Sequence, residues 1–244
     1  MNILSIGNSF SQDGQRYLHQ IAKADGFALD AFNLCIGGCP LSTHYRNMLS
    51  EKKSYLLEMN GKSTGFFISL QEALLNRNWD VVTVQQVSDQ AVRYETYQPY
   101  LNSLVEYIRH CVPKAKIVIQ QTWAYKPGSP RLCEQMGYAD HPQMFRDVQA
   151  AYEKAAEEIR ADIVIPSGEV MQALLANGIE TVHRDNIHAS LGVGRYALGL
   201  TWYAALTGRD ICGNPFADFD EEVTPEQMEI AQKCVKKVCR NFIG

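Results

Sequence analysis

The chain has 244 residues, of which 46% are apolar and 20% are charged, a composition typical of a folded globular protein. A net charge of −4 without a dense Lys or Arg cluster argues against nucleic acid as a partner. No apolar run approaches the roughly 18 residues of a membrane span, no signal peptide is evident, and the odd number of cysteines suits a reducing compartment, so we expect a cytoplasmic protein without membrane contact.

Short β-rich segments alternate with helical patterns along the chain. The predicted strands are Ile3–Ile6, Ala28–Leu34, Val81–Gln86, Lys116–Gln121 and Asp162–Ile165. The main predicted helices are Gln12–Ala24, Tyr97–Cys111, Gln143–Arg160, Gly168–Asn177, Gly192–Leu206 and Pro225–Phe242. This alternation is typical of a parallel sheet with helices on both faces. We predict a three-layer α/β/α sandwich with a five-stranded parallel sheet, forming one domain over residues 1–244.

One segment departs from the alternation. Residues 54–70 contain two strand-like arms around Asn60-Gly61. Asn-Gly is a strong hairpin signal, because both central residues of the favoured turn need positive φ angles. We predict a β-hairpin inserted after the second strand, followed by a helix at Leu70–Asn76.

A serine hydroxyl follows the first predicted strand directly. Residues 7–11 are Gly-Asn-Ser-Phe-Ser, and a helical pattern comes next. Ligands of open α/β sheets bind beyond the carboxyl ends of the strands, where Ser9 lies. The hydroxyl of Ser9 is therefore a candidate nucleophile, beside backbone N–H groups that are free at the start of a helix. An alternative interpretation is that Ser9 or Ser11 only caps this helix.

An acid and a base lie close together near the other end of the chain. Asp185 and His188 are three residues apart in a predicted loop. A serine nucleophile needs a general base, and the base needs an acceptor that orients its other nitrogen. A polar loop that caps the next helix is one alternative interpretation. A metal site formed by His183, Asp185 and His188 is another.

These motifs together resemble the SGNH hydrolases, also called GDSL-type esterases and lipases. The first block of that family, a strand followed by Gly-Asn/Asp-Ser, matches residues 7–9. The second block, a strand ending in Asn and followed by Gly, matches residues 33–38, and the last block, Asp-x-x-His, matches residues 185–188. The resemblance covers residues 3 to about 206 and implies a flavodoxin-like fold.

The resemblance also implies roles for individual residues. Ser9 is the expected nucleophile, His188 the general base and then the acid, and Asp185 the residue that orients His188. The backbone N–H groups of Ser9 and Gly38 are expected to form part of the oxyanion hole. A glycine at position 38 also suits a backbone that approaches a substrate closely.

The third block of the family, Gly-x-Asn-Asp, is missing. Gln85 and Gln86 stand where the third strand ends, and a Gln amide offers the same donor as Asn on a longer side chain. We predict Gln86 as the third oxyanion donor, with Gln85 as the alternative donor or a substrate contact. A bacterial branch of the family resembles this chain in its Gln-Gln pair and in the sequence QTWAY at residues 121–125. Trp123 in that sequence is a candidate for stacking on a sugar, although buried packing is the alternative.

The expected activity is hydrolysis of a small ester through an acyl-enzyme on Ser9, without a metal or organic cofactor. The resemblance favours short acyl groups, acetyl above all, on a carbohydrate-like alcohol. The alternatives are a ligand-binding module without activity on the same fold, and a metal-dependent hydrolase that uses His183.

Overall fold

The computed structural model describes residues 1–243; Gly244, the last residue of the predicted domain, lies outside them. The part of the chain described contains a single seven-stranded sheet in the order β4-β3-β2-β1-β5-β6-β7. The strands are β1 (Asn2–Gly7), β2 (Asp30–Cys35), β3 (Tyr55–Met59), β4 (Lys62–Ile68), β5 (Val81–Val84), β6 (Lys116–Gln120) and β7 (Ile163–Ile165). The prediction of α/β architecture is therefore confirmed.

The predicted number of strands is wrong. Strands β2, β1, β5, β6 and β7 are parallel, as expected, with Leu4 of β1 between Phe32 of β2 and Val82 of β5. The predicted hairpin, β3 and β4, does not stand apart from them. Its first strand pairs antiparallel with β2, so the hairpin extends the same sheet to seven strands.

Helices lie on both faces of the sheet. Their bounds are α1 (Ser9–Gln15), α2 (Leu18–Ala24), α3 (Leu41–Ser50), α4 (Leu70–Leu75), α5 (Tyr100–Cys111), α6 (His141–Glu158), α7 (Ser167–Ala176), α8 (Val193–Thr207) and α9 (Pro225–Val238). Helices α1, α2, α7, α8 and α9 form one contacting group and α3, α4 and α5 form another, while α6 contacts α7. None of the helices within residues 1–243 combines the length and apolar character needed to cross a membrane.

The hairpin is tied to the first helix by its turn and by a buried acid. Asn60 and Gly61 adopt φ angles of 53° and 78°, as the Asn-Gly signal predicts. A Cβ on Gly61 would clash with the carbonyl oxygen of Arg16, so the turn packs directly against the end of α1. Glu58 in β3 is buried and accepts hydrogen bonds from the side chains of Asn33 and Gln12. The inserted strands therefore support the helix that begins at Ser9.

The sheet topology places Ser9 where an active site is expected. Strand β1 lies between β2 and β5, and the chain leaves β1 in one direction for β2 and later crosses to β5 on the other side. This reversal is the topological switch point of an open α/β sheet, and the crevice beyond the carboxyl ends of its strands is the usual ligand site. Ser9 lies two residues after the end of β1, at this point.

Candidate active site

The turn that presents Ser9 is set by the residues on both sides of it. Asn8 has extended backbone angles and is the N-cap of α1, and its side-chain oxygen accepts from the N–H of Phe10 at 3.0 Å. Ser9 is the first residue of the helix, so the cap interpretation of Ser9 and Ser11 is wrong. A Cβ on Gly7 would clash with the hydroxyl oxygen of Ser11, so only glycine fits before the turn.

Ser9, His188 and Asp185 form one chain of hydrogen bonds. The Nε2 atom of His188 lies 2.9 Å from the Oγ atom of Ser9, and its Nδ1 atom lies 2.7 Å from Oδ2 of Asp185. The loop between α7 and α8 thus brings an imidazole to a hydroxyl that is 179 positions away in the sequence. The arrangement suits nucleophilic chemistry: the Nδ1–H donates to the carboxylate, which leaves Nε2 to accept the serine proton.

The carboxylate of Asp185 is held by backbone donors of its own loop. Its Oδ1 atom accepts from the N–H groups of Ile187 at 2.8 Å and His188 at 2.7 Å. Partial burial raises the pKa of this carboxyl, but the two N–H groups and the imidazole outweigh that effect and lower the pKa of Asp185 to about 2. Asp185 is therefore ionised wherever the protein is folded near neutral pH.

Two backbone N–H groups near the site are candidate donors. Gly38 lies in the turn after β2 with a φ angle of 61°, a left-handed conformation that favours glycine. The Nδ2 atom of Asn8 donates to the carbonyl of Cys39 at 3.2 Å and so ties this turn to the nucleophile turn. Within residues 1–243, neither the N–H of Ser9 nor that of Gly38 donates to a protein acceptor. Both are available to a ligand.

The structure does not support Gln86 as an oxyanion donor. Its side-chain oxygen accepts from the N–H groups of Leu41 and Val87, and its amide nitrogen donates to the carbonyl and hydroxyl of Thr96 at 3.0 and 3.2 Å. The side chain is fully buried and occupied with these bonds. Strand β5 ends at Val84, earlier than predicted, and Gln86 instead joins the loop after β5 to α3.

Gln85 and Trp123 are also placed differently from the prediction of substrate contacts. Both side chains are buried, with exposed fractions of 2% and 0%. The amide of Gln85 donates to the side-chain oxygen of Asn8 at 2.7 Å. The indole N–H of Trp123 donates to the carbonyl of Ile187 at 2.8 Å, and its ring stacks on Phe10 with 4.1 Å between centroids. Gln85 thus supports the nucleophile turn, and Trp123 supports the His188 loop, from within the protein.

His183 does not join Asp185 and His188. Its ring is buried and its Nε2 atom lies 3.1 Å from the carbonyl oxygen of Ala124. Across residues 1–243, no cluster of three His, Cys, Asp or Glu side chains is arranged to hold a metal ion. His183, Asp185 and His188 therefore do not form the set of ligands that the metal interpretation requires.

Sequence analysis missed a buried charge network beside the site. Asp13 in α1 accepts from the guanidinium groups of Arg184 and Arg195, and Arg195 also pairs with Asp220. Asp13 lies four residues after Ser9, about one helical turn, and this spacing could have indicated that Asp13 lies beside the site.

Cavity size does not identify the site. A cavity of about 680 Å³, lined by residues that include Arg77, Trp79, Asp80 and Lys114, lies at the amino ends of the strands. Ser9 and His188 lie at the opposite, carboxyl ends. The carboxyl ends of the strands, where ligands of open α/β sheets bind, are thus at the other end of the sheet from this cavity.

Most of the fold is similar to solved structures of hydrolases. A proposed SGNH hydrolase from Slackia heliotrinireducens matches with a TM-score of 0.61 at 23% identity, covering 84% of this chain and 98% of that one. A carbohydrate esterase family 3 protein from Talaromyces cellulolyticus matches with a TM-score of 0.55 at 10% identity, covering 84% and 96%. The chain therefore has the fold of the SGNH and GDSL hydrolases, as the sequence motifs predicted.

The family itself is shown by two further comparisons. The model of the "Domain of unknown function (DUF4886)" matches residues 2–237. A crystal structure of a DUF4886 family protein from Bacteroides uniformis ATCC 8492 matches with a TM-score of 0.91 at 31% identity, covering 98% of this chain and 94% of that one. The chain belongs to the DUF4886 family. No curated protein matches its sequence.

Proposed function

We propose that this protein is a serine ester hydrolase that acts through an acyl-enzyme on Ser9. The observation that carries the proposal is the hydrogen-bond chain from Asp185 through His188 to Ser9, with 2.9 Å between the imidazole and the hydroxyl. Nucleophile, base and orienting acid are all within hydrogen-bond distance, as acyl transfer requires.

The reaction follows from this geometry in two halves. In the first, Nε2 of His188 takes the proton of Ser9 as its Oγ attacks the ester carbonyl, and the imidazolium then gives that proton to the leaving alcohol. In the second, water gives a proton to His188 and attacks the acyl-serine, and the carboxylic acid leaves as Ser9 recovers its proton. Asp185 remains ionised and stabilises the imidazolium in both halves.

The negative charge on the carbonyl oxygen needs donors that are already in place. The N–H groups of Ser9 and Gly38 are the candidates, because both are free and lie in the two turns that Asn8 joins. We propose an oxyanion hole of these two backbone groups, without Gln86. Prearranged donors of this kind each contribute on the order of 10²–10³ to the catalytic rate.

The proposed substrate is a small ester with a short acyl group, acetyl above all, on a carbohydrate-like alcohol. Family resemblance supports this choice, together with the likeness of the fold to a carbohydrate esterase. A panel of p-nitrophenyl esters of increasing acyl length, with acetylated oligosaccharides beside it, tests the choice. Rates that rise with acyl length would contradict the acetyl preference while leaving the mechanism intact.

The nucleophile is tested without knowing the substrate. A fluorophosphonate should label the wild-type protein at Ser9, as located by mass spectrometry of the modified peptide. Ser9→Ala should lose both the label and the hydrolysis of p-nitrophenyl acetate. Ser11→Ala is the matched control, because the hydroxyl of Ser11 is bonded to Asn8 and Asn33 and its loss should leave the label on Ser9. A label that persists in Ser9→Ala would contradict the mechanism, and ligand binding without turnover would favour a binding module.

A further inference from the structure

Asp13 is a fully buried carboxylate on the helix that begins with Ser9. Its exposed fraction is 0%. Ser9 and Asp13 are four residues apart in α1, so their side chains lie on the same face of the helix. A buried carboxylate persists only where opposite charges and hydrogen bonds replace water, so its partners are fixed parts of the structure.

The partners of Asp13 come from the loop and helix that follow His183. The Nη1 atom of Arg184 lies 2.9 Å from each carboxylate oxygen, and Nε of Arg195 lies 2.8 Å from Oδ1. The N–H of Ala189 donates to Oδ2 at 3.2 Å. The residue directly after His188 is therefore bonded to the helix of the nucleophile.

Arg184 contacts the same short stretch from its other side. Its backbone N–H donates to the carbonyl of His188 at 3.0 Å, and its Nη1 atom donates to the carbonyl of Ala189 at 2.5 Å. The peptide groups around His188 are thus bonded by Asp13 and Arg184 together. The hydrogen bonds of the imidazole itself go to Asp185 and Ser9.

We propose that Asp13 and Arg184 are a pair of positioning residues that set the distance between His188 and Ser9. The inference rests on the proposed function, because it gives the base a fixed position relative to its nucleophile. Asp13 is on the helix of Ser9, and Arg184 is on the loop of His188, so their ion pair links the two reacting groups through rigid backbone. A displacement of about 1 Å between reacting groups costs on the order of 10²-fold in rate, so such a link matters for catalysis as well as for folding.

The charge arrangement allows a test that spares the fold. In Arg184→Gln, Asp13 keeps Arg195 as its counter-ion, so no buried charge is left alone. Arg16→Gln is the matched control: Arg16 belongs to the same network through Asp220, and none of its hydrogen bonds reaches the His188 loop. Both variants lose an ion pair of the network, but only Arg184→Gln removes a side-chain hydrogen bond next to His188, the bond from Nη1 to the carbonyl of Ala189.

The experiment measures labelling of Ser9 by a fluorophosphonate and hydrolysis of p-nitrophenyl acetate in both variants and the wild type. Arg184→Gln should slow labelling and lower kcat by about 10- to 100-fold with KM nearly unchanged. Arg16→Gln should keep both rates within about 2-fold of the wild type. The backbone bonds of residue 184 to His188 and of Ala189 to Asp13 remain in Arg184→Gln. Hydrogen exchange at these two amides should still speed up in this variant alone, because the loop opens more often without the guanidinium of Arg184.

Equal losses in the two variants, or an unchanged labelling rate in Arg184→Gln, would overturn the positioning role. A wild-type protein that takes no label at Ser9 would instead contradict the proposed function. In that case the exchange rates decide the structural part of the inference: faster exchange confined to Arg184→Gln supports it, and unchanged exchange overturns it.

Discussion

The side-chain amide of Gln85 donates to the side-chain oxygen of Asn8 at 2.7 Å, at the point where β5 ends beside the nucleophile turn. Asn8 in turn donates to the carbonyl of Cys39, next to Gly38. One row of carboxamides therefore connects the end of β5, the turn of Ser9 and the turn of the second proposed oxyanion donor. Gln85 therefore supports the Ser9 turn through Asn8, whereas Gln86 holds the loop after β5 to α3.

Loss of the hydrogen bond between Gln85 and Asn8 should lower kcat more than it weakens substrate binding. In Gln85→Ala, Asn8 keeps its bonds to Phe10 and Cys39 but loses the buried donor that orients its side chain, so the amide that ties the Gly38 turn is held less firmly. We expect kcat to fall by about 10-fold with KM nearly unchanged, because the donors act on the transition state. Gln121→Ala is the control. Gln121 is also a buried glutamine and directly follows the neighbouring strand β6, and its side-chain oxygen accepts from the N–H of Glu169. Steady-state kinetics on p-nitrophenyl acetate checks the result, and equal effects of the two substitutions would contradict it.

Gln86 should matter for stability and little for the reaction. Its oxygen is the acceptor of the buried N–H groups of Leu41 and Val87. In Gln86→Ala these two donors are left without a partner, at about 1–3 kcal/mol each, so the free energy of unfolding should fall by about 2–6 kcal/mol. Urea denaturation measures this loss, and kcat at a temperature where the variant is folded should stay within a few-fold. If a stable variant instead turns over substrate more slowly by about 10²-fold or more, Gln86 is restored as an oxyanion donor.

Much of the site could be predicted because short motifs next to strand ends specify it. Gly-Asn-Ser after an apolar strand and Asp-x-x-His near the end of the chain indicated the residues that the structure brings together. The orientation of Gln86 could not be predicted, because it depends on Leu41 and Thr96, which are distant in sequence and contact it only in the folded protein. Local patterns define an element, whereas tertiary contacts decide the direction of a side chain at its end.

The fold could be predicted to a similar extent. Parallel strands and the Asn60-Gly61 turn were evident from apolar runs and turn chemistry. Pairing of the hairpin with β2 was not, since it depends on buried contacts of Glu58 with α1 and β2. Helix α3 was missed because two of its buried positions are His44 and Asn47, which hide the apolar periodicity of the helix.

Buried His183 should make the protein less stable in acid. Burial lowers the pKa of His183 from 6.5 to about 4, so the unfolded chain binds a proton there at pH values where the native protein does not. The stability from the neutral ring is complete above pH 6.5 and is lost as the pH falls toward 4, by about 3 kcal/mol. Urea denaturation between pH 4 and pH 7 should show this slope, and His183→Gln should reduce it. An equal slope in the variant would contradict the assignment.

The loss of activity at acidic pH should result from the binding of a single proton. His188 must be neutral to accept the proton of Ser9, so the rate should fall as the pH is lowered. Because the pKa of Asp185 is lowered to about 2, its carboxylate stays ionised at mildly acidic pH. A plot of log kcat/KM against pH should therefore have a limiting slope of one, unchanged in His183→Gln. A slope of two would mean that a second group must also lose a proton.

A substitution of Trp123 distinguishes two roles for this side chain: a platform on which a substrate sugar stacks, and a support for the His188 loop. Trp123→Phe keeps a ring to stack on Phe10 but removes the N–H that donates to Ile187, the residue before His188. As a support, Trp123 should affect kcat, which we expect to fall about 3- to 10-fold for every ester because a weakened loop holds the base less well. As a platform, it should instead affect KM, most of all for acetylated sugars, because stacking contributes to binding. Parallel kinetics on p-nitrophenyl acetate and an acetylated oligosaccharide separates the two. We expect the same kcat effect on both substrates, since a side chain with no exposed surface contacts neither.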